Sequence, residues 1–246
     1  MTLAEYGVRL QLDLEIDASE PSICRALKFL RLTRKRKSRA ALRKFTPQNM
    51  QRIADFRQWQ LERDAGSIIF VDEMGVRVAD AQRIYARSMS GTKAAVPCPA
   101  HNTGERGDLW NFIAALDADG ILDCMFNVRD SINAATFEDW VEFMLLPTIL
   151  DKYPFGGVSV VMDNASFHRR VRLGQIFGEH GVELMFLPAY CPEYNPIETA
   201  FAWVKAHIRR EPTEAMMDLP AATHRAFEAV TENLAVAWMR YSEFRL

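Results

Sequence analysis

No apolar run in the 246 residues approaches the roughly 20 needed to cross a bilayer, so no membrane partner is expected. The opening residues, MTLAEYGVRLQLDLEID, lack the basic-then-apolar order of a signal peptide, and secretion is not expected. The chain is placed in the cytoplasm or nucleoid if bacterial, in the nucleus if eukaryotic. The four cysteines, Cys24, Cys98, Cys124 and Cys191, are scattered and form no CxxC pair. That argues against a structural zinc site and for free thiols in a reducing compartment. There is no internal repeat and no low-complexity segment. From Arg31 to Lys44 there is no acid at all, against eight basic residues: Arg31, Arg34, Lys35, Arg36, Lys37, Arg39, Arg43 and Lys44. On a chain of net charge −2, such a block marks one local polyanion contact or a solvated linker.

What remains is the composition of a globular protein, 49% hydrophobic and 25% charged. The length suits one large domain with a small appendage. Residues 1–45 read as a small helical piece with a basic tail. Ser19 or Ser22 caps a helix that places Ile23, Leu27 and Leu30 on one face. Arg25 and Lys28 fall on its polar side, where a DNA groove could meet them. Thr46-Pro47 starts a connecting helix over residues 46–65, with Met50, Ile53, Ala54, Arg57 and Leu61 along its face. A strand is expected over Ser67–Glu73, ending in two acids, with Gly75 turning the chain into a second strand at Val76 and Val78. Leu109–Leu116 and Ile121–Val128 form a hairpin around Asp117-Ala118-Asp119-Gly120. Asn133–Leu146 has helical period, with Phe137, Trp140, Val141, Met144 and Leu145 as its core face. A strand at 158–162, a helix at 166–180, a strand at 182–187 and a helix from Pro196 to Arg210 follow. One last helix is expected over Ala221–Tyr241, burying Phe227, Val230, Leu234, Trp238 and Tyr241. Hairpin-linked strands followed by strand–helix alternation point to a mixed α/β sheet with helices on both faces.

Three acids fall at the ends of these elements: Asp72, Asp163 and Glu198. If the strands carrying Asp72 and Asp163 are neighbours, the two aspartates meet, and Glu198 closes the site from the start of its helix. Carboxylates gathered so closely repel one another unless hard cations, Mg²⁺ or Mn²⁺, hold them. Two ions roughly 3.5–4 Å apart serve in-line phosphoryl chemistry. Taken singly, Asp163-Asn164 also reads as a turn, Glu198 as a helix-dipole partner and Asp72 as a solvated strand end.

The motifs FVDEMGV, MDNASFH and LMFLPAYCPEYNPIETAFAWVK resemble the catalytic domain of mariner-type and bacterial insertion-sequence transposases. These are DDE superfamily endonucleases with an RNase H-like, retroviral-integrase-like fold. The resemblance covers about residues 66–210 and puts the first catalytic acid on Asp72 rather than Glu73. It implies a catalytic domain over 66–246, with Asp72, Asp163 and Glu198 holding two Mg²⁺ or Mn²⁺ ions. The implied reaction is phosphodiester hydrolysis at transposon ends, then strand transfer into target DNA, with insertion at TA dinucleotides usual for the family. Double-stranded DNA is the implied partner, and a homodimer the implied assembly. SICRALKFLRLTRKRK is similar to the end of the family's second helix-turn-helix and its basic linker. Family members carry a longer DNA-binding region here, so end recognition by this chain is expected to be incomplete. Arg25, Lys28, Arg34, Lys35, Arg36, Lys37 and Lys205 are candidate DNA contacts, with Arg169, Arg170 and Arg172 beside the second acid. His168 reads either as a group orienting a carboxylate or phosphate or as a structural histidine. Asn164 and Asn195 read as turn formers, and Tyr190 and Tyr194 as cleft walls. A catalytically silent DNA-binding remnant is the alternative. A structure-selective nuclease of the same fold, acting on RNA–DNA hybrid, is a third.

Overall fold

The computed structural model describes residues 2–33, 42–82, 85–94, 109–127, 132–164 and 168–244. They group into two compact units, one up to Ala40 and one from Ala41. The first holds α1 (Leu3–Leu14) and α2 (Glu20–Phe29). Thr2 and Glu5 close α1 with a reciprocal capping box. Of the two serines expected to cap α2, Ser19 holds the N-cap position, but its hydroxyl meets Ser22 Oγ at 3.0 Å instead of capping the helix. On α2 only Ile23 of the expected face is buried, while Leu30 is exposed.

The second unit is organised on β1 (Ile68–Val76), which reads IIFVDEMGV and is buried from Ile68 to Asp72. A near-continuous apolar run is the signature of a strand covered on both faces. β1 pairs antiparallel with β2 (Trp110–Asp117) from Phe70–Leu116 to Val76–Trp110. On its other side it pairs parallel with β4 (Ser159–Met162), from Ile68–Ser159 to Val71–Met162. The hairpin partner β3 (Gly120–Asn127) and the parallel strand β5 (Glu183–Phe186) complete the order β3-β2-β1-β4-β5 among the described residues. This is the expected mixed sheet.

Helices cover both faces. On one face Phe70, Met74, Phe112, Leu116 and Val161 pack with α3 (Pro47–Leu61), α7 (Pro196–Ile208), α9 (Leu219–Glu228) and α10 (Glu232–Tyr241). The short α8 (Pro212–Met217) adds Ala215. On the other face Ile69, Val71, Ile113, Val160 and Met162 pack with α4 (Ala134–Trp140), α5 (Leu146–Lys152) and α6 (Arg170–Gly178). Each fully buried Phe or Ile contributes about 1.5–3 kcal/mol relative to exposure. Among the described residues no helix is long and apolar enough to cross a membrane. Cys24, Cys124 and Cys191 are free thiols.

Several expected boundaries change. Gly75 does not turn the chain. It pairs with Asn111 inside β1, and its missing Cβ makes room for Leu109, which an added carbon would meet at 3.0 Å. The second strand expected at Val76 and Val78 is instead a 3₁₀ turn, Val78–Ala81, because Asp80 captures the Arg77 N–H at 2.9 Å. Asp72 therefore sits fifth of nine residues in β1, not at its end. Along α4 the phase slips: Phe137, Trp140, Val141 and Leu145 are buried but Met144 is exposed. A π-helical turn, Val141–Leu145, inserts one extra residue and brings Leu146 and Ile149 inward. Pro147 follows it; with no N–H and a ring that crowds the preceding turn, it favours the widened ladder. The single C-terminal helix is two, α9 and α10, broken where Thr231 is extended. Tyr241, placed inward by the unbroken reading, is exposed. On α3 the buried face is Asn49, Ile53, Phe56, Trp59 and Gln60, so Met50 and Leu61 point out. The two aromatic rings set that phase. The Thr46 hydroxyl donates to the Arg43 carbonyl (3.1 Å) rather than capping α3.

Glu183 ties α3 to the parallel half of the sheet. It accepts from Ser159 Oγ (2.6 Å), Trp59 Nε1 (3.2 Å) and Arg63 Nη2 (3.1 Å). Burial alone would raise its pKa, but these donors outweigh burial and hold the carboxyl below its ordinary value. A lowered folded pKa stabilises above the unfolded value, about 4.3, and is lost as pH falls through the lowered one. Thermal melts between pH 7 and 3 are therefore expected to fall more steeply for the parent than for Glu183→Gln. Equal slopes would remove this role.

Candidate active site

The alternation of a strand decides where its two adjacent acids point. Asp72 shares parity with Phe70 and Met74, so it faces α7. Glu73 shares parity with Ile69 and Val71, so it faces α4 and α6. Asp163 follows the last residue of β4, one step beyond the Val71–Met162 pair. Glu198 lies in the first turn of α7 and is exposed. The condition set from the sequence, that the strands carrying Asp72 and Asp163 be neighbours, is met by the parallel pairing of β1 and β4.

Asp72 is only 9% exposed. Its Oδ1 accepts from the Glu73 N–H and its Oδ2 from Asn195 Nδ2, both at 2.8 Å. Burial first, then the charges of Glu73, Glu198 and Asp163, push its carboxyl up to about 8, against the Glu73 N–H, which lowers it. Three neighbouring acids thus act on one buried carboxylate. Among the described residues no three such side chains already converge to ligand distance. The donors present are carboxylate oxygens carrying excess negative charge, and that chemistry fits a hard divalent cation. The unpartnered Oδ1 of Asn195, a residue 2% exposed, adds a buried oxygen beside Asp72.

Asp163 is held from the far face. His168, 5% exposed, places Nε2 at 2.9 Å from Glu73 Oε1. Its Nδ1 lies 3.3 Å from both the backbone carbonyl and Oδ1 of Asp163. Its ring stacks on Phe137 at 4.4 Å. Burial works against the imidazolium, yet the hydrogen bond and charge of Glu73, then Asp163, hold its pKa above the ordinary value. Both sequence readings of His168 meet in this arrangement: it is buried structure, and it orients a carboxylate.

The other candidates separate. Arg169 pairs with Glu138 (3.5 Å) and Arg172 with Glu142 (3.1 Å), whereas Arg170 stacks on Phe186. Lys205 lies two turns along α7 from Glu198 and is half-buried. Arg25 and Lys28 are exposed on α2, and Arg34, Lys35, Arg36 and Lys37 lie outside the described residues. Lys44, the end of the basic block, pairs with Glu193. Tyr194 is core, packed on Phe56, rather than a cleft wall. Tyr190 is half-exposed with φ of 61°, a strained conformation for a bulky side chain. Asn195, read as a turn former, is the residue the sequence undervalued. No local signal marked it: it holds the N-cap position of α7, yet its side chain makes no capping bond and reaches Asp72 instead.

Residues 67–219, more than half the chain, match the family described as DDE superfamily endonuclease. Among solved structures, the chain is similar to the Mos1 mariner paired-end complex with Mn, at 15% identity and a TM-score of 0.63 over 99% of this chain and 72% of that one. It is also similar to the Mos1 strand transfer complex, at 15% identity and a TM-score of 0.60 over 99% and 71%. The catalytic domain of Mos1 mariner transposase gives 12% identity and a TM-score of 0.52 over 85% and 93%. These likenesses establish a common, RNase H-like fold. A comparison with curated protein sequences finds no match.

Proposed function

The chain belongs to the DDE superfamily endonucleases, and from that premise we propose that it is a mariner-type DNA transposase. It hydrolyses phosphodiester bonds at transposon ends and transfers the freed strand into target DNA. The observation that carries the reading is the placement of the buried Asp72 mid-strand facing α7, with Asp163 one step past the paired strand β4 and Glu198 in the first turn of α7. Asp72, Asp163 and Glu198 hold Mg²⁺ or Mn²⁺, two ions in all. When bound, such ions activate an attacking oxygen and stabilise a leaving one in in-line displacement.

The chain's own residues prepare that site. Asn195 fixes one oxygen of Asp72, and the Glu73 N–H fixes the other. Glu73 and His168 hold Asp163 from the opposite face of β1. The apolar layers beneath keep the acids in place. Double-stranded DNA is the substrate, and two copies of the chain act together on paired ends. Arg25 and Lys28 on α2, with the basic block beyond it, contact the DNA backbone in this reading. Residues 1–45 form its DNA-binding part, 46–65 a connecting helix and 66–246 the catalytic domain.

The test is strand transfer from a pre-cut duplex, which does not require end recognition. Joined product is expected in Mn²⁺ or Mg²⁺ and none under chelation. Absence of product with metal, or undiminished product without it, rules the reading out.

A further inference from the structure

A second feature adjoins the acids. Between α3, the end of β5 and the start of α6 lies a cleft of ≈ 250 Å³. Its lining includes Arg52, Asp55, Asn164, Arg170 and Phe186. Asn164 directly follows Asp163, so the cleft opens beside the proposed catalytic centre.

The charges there are not all equivalent. Of the three arginines at the start of α6, Arg169 and Arg172 point to Glu138 and Glu142. Arg170 turns the other way, with its guanidinium carbon 4.1 Å from the centroid of Phe186. No acid pairs with Arg170 or with the exposed Arg52 among the described residues. Asp55 is on the same wall, but its Oδ1 already accepts from Gln51 Nε2 at 2.8 Å. The cleft thus presents two guanidinium groups against one carboxylate. A guanidinium stacked on an aromatic face keeps its in-plane N–H edge available, and that edge matches the two oxygens of a phosphate. Stacking also holds the long side chain in place before a ligand arrives, which lessens the ordering cost of binding.

We propose that this cleft carries the DNA strand beside the scissile phosphate, with Arg52 and Arg170 each contacting one backbone phosphate. The inference rests on the transposase reading and adds to it a path for the strand past Asp163. Such contacts carry no sequence information; they fix the register of the strand against the acids.

The experiment measures binding of the full chain to a pre-cut duplex across a salt series, under chelation so that nothing is cut. Arg52→Gln and Arg170→Gln are each expected to reduce the slope of log K against log salt by about 0.7–0.9. Arg172→Gln makes the same charge change on the same helix, but its guanidinium serves Glu142, so its slope is expected to match the parent. Parental slopes for Arg52→Gln and Arg170→Gln overturn the cleft assignment and leave metal-dependent joining by the parent untouched. A parent that neither binds DNA nor joins it overturns both. All three arginines are exposed, so folding is expected to survive; melting temperatures within about a degree of the parent check this.

Discussion

Asp72→Asn is expected to abolish metal-dependent DNA joining and, at the same time, to raise the melting temperature of the metal-free protein. The two effects share one cause. Asp72 is a buried carboxylate under the charge of three other acids, and its carboxyl is pushed up to about 8 by burial and by them. At neutral pH folding must therefore protonate this carboxyl, a cost set mainly by its burial, and a neutral amide avoids it. It also suits the local hydrogen bonding. The oxygen of the introduced amide can keep the Glu73 N–H, while its NH₂ faces Asn195. If the Asn195 amide rotates, its Oδ1, buried and unpartnered in the parent, becomes the acceptor for that NH₂. A gain of about 1 kcal/mol raises the melting temperature of a domain this size by roughly 2–4 °C. Activity moves the other way. Loss of an anionic ligand forfeits several kcal/mol of charge stabilisation, about 10³-fold or more in rate. Asp163→Ala shares the activity outcome. Parental joining by Asp72→Asn removes the acid from the reaction, and a lowered melting temperature refutes the account of its burial.

His168→Ala is expected to slow strand joining about 10–100-fold, the usual cost of losing a group that orients a metal ligand. The KM for DNA is expected to stay constant, because His168 is 5% exposed and faces Glu73 and Asp163 rather than the solvent. Mn²⁺ affinity, titrated by electron paramagnetic resonance without DNA and well below the melting temperature, is expected to weaken in parallel. That second readout separates orientation from mere loss of packing on Phe137. Glu73→Gln keeps an acceptor oxygen for the ring and is expected to cost less. A raised KM with unchanged kcat assigns His168 to DNA binding instead.

The mixed sheet was legible because its signals are local: an apolar run at Ile68–Val71, a hairpin at Asp117–Gly120, and helical periods between later strands. The pairing of the strands that bear Asp72 and Asp163 entered only as a condition, and β1 and β4 meet it. The choice of Asp72 over Glu73 was carried by resemblance alone; strand parity with Phe70 and Met74 puts Asp72 on the α7 side of β1. Contacts far apart in the chain were not legible. Glu73 meets His168 across 95 positions and Asn195 meets Asp72 across 123, and no spacing rule reaches that far. Helix phase failed wherever the ladder was irregular, at the π turn before Pro147 and at the break before Glu232. Periodicity assumes a constant 3.6 residues per turn, and both sites depart from it.

The parallel pairing of β1 with β4 also sets when the centre can exist. β2 and β3 close through a two-residue turn, so that hairpin needs only local contacts. Val71 and Met162 must close a far longer loop, which costs more entropy and comes later in folding. Glu198 is further still along the chain. During synthesis β1, β2 and β3 therefore emerge with Asp72 before either Asp163 or Glu198 has been made. On the proposed transposase reading, a partly made chain therefore holds only one of the three acids, and the set is complete only once β4 and α7 have joined β1.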